Sequence, residues 1–249
     1  PNSQYYKKYE GNEKLIAGKS DISKDKFDVI IFADRDIQTV KIPSHIKQIS
    51  GGAFCGFEKL KVIEIPPDSK LQIIGEYAFH GCQFTKIFIP PHVTKIFKKA
   101  FLYCNYLNLV DITSNSELRV IEANAFSSSN ITYFYVRPKV ETIGKEAFDS
   151  CYRLYYVDFD QNSELKTIES RTFNSTPIQK ISIPNNVTCI SDYAFHGCQS
   201  LQIIDIKFNS KIQTNGKSFE LNSNLQVFHF FFFHHASLKS VMGGVQIRI

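Results

Sequence analysis

The stretch that decides the fold runs over residues 143–159 and reads Ile-Gly-Lys-Glu-Ala-Phe-Asp-Ser-Cys-Tyr-Arg-Leu-Tyr-Tyr-Val-Asp-Phe. It sets a small residue beside a large aromatic one, at Ala147 and Phe148. It ends in the pattern Leu-x-x-Val-x-Phe over residues 154–159, in which the last three positions alternate between apolar and polar. This alternation predicts a short β-strand with one buried face. Because Ala147 lets backbones approach closely while Phe148 fills an interior, the segment before the strand is predicted to be a short helical or irregular turn.

The same pattern recurs along most of the chain. An Ala-Phe pair occurs six times, and weaker Thr-Phe and Ser-Phe copies occur once each. The eight phenylalanines are spaced by 25, 22, 25, 22, 25, 22 and 24 residues: Phe54, Phe79, Phe101, Phe126, Phe148, Phe173, Phe195 and Phe219. The true unit is therefore a 47-residue pair of one long and one short turn. One turn cannot bury its own apolar face, whereas stacked turns bury a continuous one. The sequence predicts a solenoid of about nine turns, stacked about 4.8 Å apart.

The recurring pattern Ile-Gly-x-x-Ala-Phe-x-x-Cys-x-x-Leu-x-x-Ile-x-Ile-Pro resembles the BspA-like leucine-rich repeats. Residues 74–82 and 143–151 match its first half, and the resemblance extends from about Ile37 to Phe230. Residues 29–37 are also similar to the beginning of such arrays in surface proteins of mucosal parasitic protists. The resemblance implies attachment to host cells, extracellular matrix or other microbes. Its motif is structural, so it transfers no site residues.

Repeats and resemblance together predict a strand-dominated α/β fold. We expect a right-handed leucine-rich-repeat solenoid of alternating long and short turns, with a stacked parallel sheet on one face. Residues 36–230 are assigned to the repeats, and residues 1–35 to an N-terminal flank or cap in which Phe27–Phe32 forms a capping strand. Residues 231–249 are assigned to an irregular C-terminal tail or cap. A poorly matched cap is the favoured interpretation of this end. If the apolar end is uncovered instead, it allows self-association through the ends of the stack.

Composition and missing motifs exclude several function classes. The formal net charge of the 249-residue chain is +5. Because the lysines are dispersed along the sequence, no nucleic-acid-binding patch is expected. The longest apolar run, around Phe230 to Phe233, is far shorter than the roughly 20 residues of a membrane-spanning helix. No phosphate-binding loop, Gly-x-Ser-x-Gly or His-Glu-x-x-His motif occurs. We therefore expect no enzyme, no cofactor and no membrane insertion within this chain.

The outward positions of the predicted strands form the candidate binding site. They line up in two columns: Glu64, Phe88, Asp111, Tyr135, Asp158, Ser182 and Asp205, and beside them Val62, Lys86, Leu109, Tyr133, Tyr156, Lys180 and Ile203. Aromatic residues rimmed by charge are typical of a protein-binding surface. The same residues also suit a solvated sheet face, where aromatics favour strands and acids oppose aggregation. The candidate ligand-binding residues are Tyr133, Tyr135, Tyr156, Phe88, Lys86, Lys180, Asp111, Asp158, Asp205 and Glu64.

The cysteines and histidines are interpreted as structural. Four of the six cysteines follow a repeat phenylalanine by three residues, at a place where other turns carry Ser129 or Thr176: Cys82, Cys104, Cys151 and Cys198. This pattern predicts a small, buried, hydrogen-bonding position. Cys82 and Cys104 lie on successive turns, but parallel side chains disfavour a disulfide. His-Gly-Cys occurs at residues 80–82 and 196–198, roughly 25 Å apart in a stack, so the two copies do not share a metal ion.

Three glycosylation sequons bear on where the protein works. They begin at Asn130, Asn174 and Asn186, and they carry glycan only if the chain is secreted. The resemblance implies a protein partner on a host surface or in extracellular matrix, and a cell-surface or secreted location. The N-terminal residues lack the apolar core of a signal peptide, which leaves a cytoplasmic scaffold of the same fold as the alternative.

Overall fold

The chain is built almost entirely from short strands. The computed structural model describes residues 5–9, 12–21, 23, 26–206, 212–214, 217–222, 224–225 and 227–230, which form twenty strands and no helix. In chain order the strands are β1 (Tyr6–Tyr9), β2 (Asn12–Gly18), β3 (Val29–Ala33), β4 (Thr39–Lys41), β5 (Gln48–Ile49), β6 (Val62–Glu64), β7 (Ile73–Ile74), β8 (Lys86–Ile89), β9 (Lys95–Ile96), β10 (Leu109–Ile112), β11 (Val120–Ile121), β12 (Tyr133–Val136), β13 (Thr142–Ile143), β14 (Tyr156–Phe159), β15 (Thr167–Ile168), β16 (Lys180–Ile183), β17 (Cys189–Ile190), β18 (Ile203–Ile206), β19 (Gln213–Thr214) and β20 (Val227–Phe230). The strand-dominated solenoid is confirmed.

The predicted strands stack in parallel on one side of the solenoid. We call this surface the strand face; it contains β4 and every even-numbered strand from β6 to β20. Its backbone ladder has three separate sections. The first pairs β4 with β6, the second pairs β8 with β10, and the third joins β12, β14, β16, β18 and β20 in that order. Core and outward residues alternate as predicted, because in β10 Val110 and Ile112 are buried while Leu109 and Asp111 are exposed.

A second sheet was not predicted from the sequence. Eleven strands form it in the order β1-β2-β3-β5-β7-β9-β11-β13-β15-β17-β19, and from β5 onward each has only two residues. We call it the short-strand sheet. The segment predicted to form a capping strand, residues 27–32, contains most of β3, whose Val29 and Ile30 pair in parallel with Gln48 and Ile49. In this sheet β3 lies between β2 and β5. Two residues are too few to display the alternation by which a strand is recognised in sequence.

The repeat phenylalanines form one continuous stack through the core. All eight rings are buried, and neighbouring centroids lie 5.0 to 5.6 Å apart with interplanar angles of 18° or less. Nearly parallel rings at this distance are offset, the arrangement that the ring quadrupole favours. Phe173 and Phe219, which follow Thr172 and Ser218, also join the stack. The hydroxyl of Thr172 donates to the carbonyl of Glu169, and that of Ser218 donates to the carbonyl of Ile190, so both buried hydroxyls have hydrogen-bond partners.

The phenylalanines are carried by a third side of the solenoid, which we call the turn face. In the turn around Phe79, hydrogen bonds close three successive β-turns, from the N–H groups of Ala78, His80 and Cys82 to the carbonyls three residues earlier. The N–H groups of Tyr77, Phe79 and Gly81 then donate to the next turn at 2.8 to 3.2 Å. Tyr77 and Gly81 have positive φ angles of 53° and 70°, as a type II turn requires at its third position.

The C-terminal end of the stack is described up to β20. This strand pairs in parallel with β18, placing Val227 opposite Ile203, and Leu225 just before it is buried, as the repeat predicts. The expected tail or cap over residues 231–249 lies outside the described residues. Self-association through that end therefore stays a prediction.

Candidate functional site

The two outward columns predicted on the strand face exist. Tyr133 lies opposite Tyr156, and Tyr135 lies opposite Asp158. Lys180 continues one column next to Tyr156. In the preceding section of the ladder, Leu109 and Asp111 pair with Lys86 and Phe88. Further along the section that contains the tyrosines, Ser182 pairs with Asp205. Glu64 belongs to the separate β4–β6 pair, opposite Lys41, so it does not share a ladder with the tyrosines.

The middle of the strand face exposes large apolar side chains. The exposed fractions are 47% for Leu109, 40% for Tyr133 and 55% for Tyr156. We call these three residues the aromatic patch. Sequence reasoning left Leu109 out of the candidate residues. Tyr155 is also exposed, but it directly precedes β14 and is not part of its ladder.

Tyr135 has a different role from its neighbours. It is only half exposed, and its hydroxyl donates to Asp160 Oδ2 at 2.8 Å. The pKa of the Tyr135 hydroxyl is raised, mainly by this hydrogen bond and secondly by burial. The Arg137 guanidinium lies 4.7 Å from the Tyr135 ring centroid and also donates to the carbonyl of Ile112 in the preceding turn. Tyr135 is therefore held within the chain rather than presented freely.

Two carboxylates border the aromatic patch. Partial burial, followed by the negative charge of nearby Asp158, raises the pKa of the Tyr133 hydroxyl. Asp111 and Asp158 are both exposed. Among the described residues neither forms an ion pair with a lysine, arginine or histidine. Asp205 differs, because it is paired with Lys180 at 2.7 Å and accepts from Ser182 at 3.1 Å.

The cysteines at the repeated position are structural. Cys82, Cys104, Cys151 and Cys198 are buried, and each thiol donates to the carbonyl oxygen of the repeat phenylalanine one turn earlier, at 3.0 to 3.1 Å. Burial raises the pKa of the Cys104 thiol to about 12 and those of Cys151 and Cys198 to about 11. A thiol that stays protonated is a poor nucleophile. All six cysteines are free, Cys82 and Cys104 included.

The two His-Gly-Cys motifs have different surroundings. His80 Nδ1 lies 3.7 Å from Cys55 Sγ, and burial lowers the pKa of His80. His196 Nδ1 lies 2.9 Å from Asn174 Oδ1. Within the part of the chain that is described, no three side chains of His, Cys, Asp or Glu are arranged to hold a metal ion. Nor does any helix there have the length and apolarity to cross a membrane.

The three sequon asparagines differ in their exposure and in the hydrogen bonds that their side chains make within the fold. Asn174 donates through Nδ2 to Asp149 and accepts through Oδ1 from His196, while its partner Thr176 is buried and donates to the Phe173 carbonyl at 2.8 Å. Asn186 is exposed and makes one hydrogen bond, to the carbonyl of Ser163 at 2.7 Å. The half-buried Asn130 donates to the carbonyl of Asn105.

A groove lies away from the strand face, on the short-strand sheet. Its volume is about 640 Å³, and it is lined by Glu141, Thr142, Glu164, Lys166, Thr167, Glu169 and Asn186. Glu141 is already paired with Arg119. The lining offers no apolar floor and no convergent nucleophile and base, the features by which binding pockets and active sites are recognised.

Comparison with protein families gives one match that covers most of the chain. The family model described as the BspA type leucine rich repeat region matches with six copies, over residues 26–155 and 119–232. These ranges contain every strand of the strand face. No curated protein matches this sequence.

Solved bacterial structures share the fold. A leucine-rich repeat protein from Bacteroides ovatus is 25% identical, with a TM-score of 0.64, and the match covers 81% of this chain and 58% of that one. The pneumococcal vaccine antigen PcpA is 19% identical, with a TM-score of 0.52 and coverages of 83% and 70%. The T. pallidum leucine rich repeat protein is 21% identical, with a TM-score of 0.51 and coverages of 76% and 86%. The chain thus spans little more than half of the Bacteroides protein.

Proposed function

Because the chain belongs to the BspA-type leucine-rich repeat family, we propose that it is a non-catalytic protein-binding module that attaches its bearer to a protein on a host cell surface or in extracellular matrix. Stacked repeats present an extended surface along the solenoid, and that surface suits recognition of another protein. The repeat phenylalanines and the cysteines at the repeated position serve packing and hydrogen bonding within the stack. The outward residues of the strand face are the part of each turn left free to vary.

The exposed aromatic patch carries this proposal. Tyr133 and Tyr156 lie opposite each other on adjacent strands with 40% and 55% of their surface exposed. The core of the stack is already filled by phenylalanine, so packing within the chain does not require tyrosine at these outward positions. Tyrosine is enriched among residues that dominate the free energy of protein association, because it buries a large rigid area at a small entropic cost.

An intracellular scaffold of the same fold is the second candidate. It is favoured by the six free cysteines, four of which are buried in the core. Thiols remain reduced in the cytosol, whereas secreted proteins commonly form disulfides. Both candidates use the strand face as a protein-binding surface, so they differ in the location of the protein and in its partner.

The location is tested by labelling intact and permeabilised source cells with an antibody against this domain. Labelling of intact cells is expected for an attachment protein. Labelling that requires permeabilisation contradicts attachment and favours the intracellular scaffold. Antibody against a cytosolic protein of the same cells is the control for membrane integrity.

The binding surface is tested with the purified 249-residue chain on host epithelial monolayers and on a panel of immobilised extracellular-matrix proteins. The double variant Tyr133→Ser, Tyr156→Ser is expected to lose at least about tenfold in affinity, as the removal of central aromatic residues does elsewhere. The matched control is Tyr103→Ser, which removes a tyrosine that is 53% exposed on the turn face. Equal loss in both variants, or none in the double variant, contradicts the proposed surface.

A further inference from the structure

The aromatic patch is bordered by negative charge that the chain itself leaves unpaired. Asp111 follows Leu109 by two positions in β10, and Asp158 follows Tyr156 by two positions in β14. Both carboxylates are exposed, and among the described residues neither has a cationic partner. A surface that has apolar and anionic groups side by side is complementary to a ligand that has apolar and cationic groups side by side.

Two other acids near the middle of the strand face already have partners, whereas the exposed Glu64 lies apart on the β4–β6 pair. Asp205 is held by Lys180 and Ser182. Asp160 accepts from Tyr135 and from the backbone N–H of Asn162, and these hydrogen bonds lower the pKa of its carboxyl. The positive charge of Arg137 lies over the Tyr135 ring. Among the described residues, Asp111 and Asp158 therefore carry negative charges that no ion pair neutralises.

The distance between the Asp111 and Asp158 carboxylates sets the distance that must separate two cations of a partner that binds both. The two aspartates lie on β10 and β14, which are two turns apart in the stack. Although β10 and β12 are not paired in the ladder, the repeat phenylalanine rings of these three turns are spaced 5.0 and 5.4 Å apart, so the two strands are about 10 Å apart. An extended segment in the polyproline-II conformation advances about 3.1 Å per residue with three residues per turn, so side chains three residues apart point to the same side and are separated by about 9 Å. Tyr133 and Tyr156 stand beside the line between the two acids. On β8, the neighbouring strand toward the N-terminal end of the stack, Lys86 lies opposite Leu109. Its positive charge disfavours binding of a third cation of the partner at that position.

We propose that the strand face binds an extended segment of a partner protein that carries two cationic residues three positions apart, with apolar residues between them. The segment lies along the solenoid axis, across the strands. Its cations pair with Asp111 and Asp158, and its apolar side chains cover the aromatic patch. Lysine or arginine placed against tyrosine also gains cation–π attraction. This inference rests on the proposed function, since it names the chemistry of the partner at the same surface.

The test uses defined peptides and the purified chain, with amide chemical shifts recorded by NMR during titration at low ionic strength. The probe is a capped peptide with the core Arg-Leu-Tyr-Arg. A peptide with the core Arg-Arg-Leu-Tyr alters the spacing, and one with the core Glu-Leu-Tyr-Glu reverses the charge. We expect the first peptide to shift resonances of β10, β12 and β14, and to bind at least about fivefold more tightly than either control, as two partly exposed ion pairs allow.

The double variant Asp111→Asn, Asp158→Asn is expected to lose about fivefold in affinity for the first peptide and most of its salt dependence. The matched control is Glu164→Gln, which removes an exposed acid from the groove on the short-strand sheet. Equal affinity for all three peptides, unchanged affinity in the aspartate variant, or no binding overturns the inference. If the aspartate variant still binds host cells or matrix while the Tyr133, Tyr156 variant does not, the inference fails and the proposed function stands.

Discussion

The thiol of Cys104 donates its hydrogen to the carbonyl oxygen of Phe79, one turn earlier in the stack, at 3.0 Å. The same relationship joins Cys82 to Phe54, Cys151 to Phe126 and Cys198 to Phe173. Thr176, at the equivalent position, donates to the carbonyl of Phe173 in its own turn at 2.8 Å. A small donor at this position therefore satisfies a buried carbonyl of the phenylalanine stack.

Substitution of Cys104 tests this packing role. Cys104→Ser retains a small hydroxyl donor, so the free energy of unfolding is expected to change by no more than about 1 kcal/mol. Cys104→Leu adds volume to a fully buried site and is expected to lower it by about 1–3 kcal/mol. Chemical denaturation followed by circular dichroism measures both. Similar losses in the two variants would contradict a role based on size and hydrogen bonding.

The buried thiols predict how stability depends on pH. The pKa of Cys151 and of Cys198 rises from 9.0 to about 11 in the folded chain, so unfolded thiols ionise first as the pH increases. Stability from the neutral buried thiols is complete below pH 9 and is lost between about pH 9 and pH 11. Thermal melting across this range is expected to show a smaller decrease in the Cys151→Ser, Cys198→Ser variant than in the unchanged chain. Identical decreases would mean that other groups cause the effect.

Gly144 is predicted to be intolerant of a side chain. A Cβ atom there would lie 2.7 Å from the backbone nitrogen of Ala123 and 2.9 Å from the carbonyl carbon of Glu122. Gly144→Ala therefore forces neighbouring turns apart and is expected to lower the free energy of unfolding by about 1–3 kcal/mol. Ser191 occupies the equivalent position in a later turn, so Ser191→Ala is the matched control. Equal stability of the two variants in urea denaturation would refute the close approach.

The sequons predict an uneven pattern of glycosylation if the chain passes through a eukaryotic secretory pathway. Glycan on Asn174 would remove its hydrogen bond to Asp149 and crowd His196, whereas Asn186 is exposed. We expect mass spectrometry of the folded, secreted fraction to find glycan at Asn186 and none at Asn174. Asn186→Gln should then remove that modification. Glycan at Asn174 in well-folded protein would contradict the arrangement of the turn face.

The sequence by itself determined the features that repeat within one turn. The spacing of Phe54, Phe79 and the later phenylalanines predicted the stack, and alternation predicted which side of β14 faces the core. The recurring cysteine predicted a buried donor. These properties are set by local geometry, because strand side chains alternate with a period of two and every stacked turn repeats the same environment.

Only the tertiary structure decided how side chains on different turns are used. Tyr135 looked equivalent to Tyr133, yet a hydrogen bond to Asp160, 25 residues later, holds it in place. The short-strand sheet has strands too brief to show a pattern. The candidate columns were predictable because they follow the repeat. Which tyrosines and acids remain free was not predictable, because partners one turn away are set by stacking register and carry no local sequence signal.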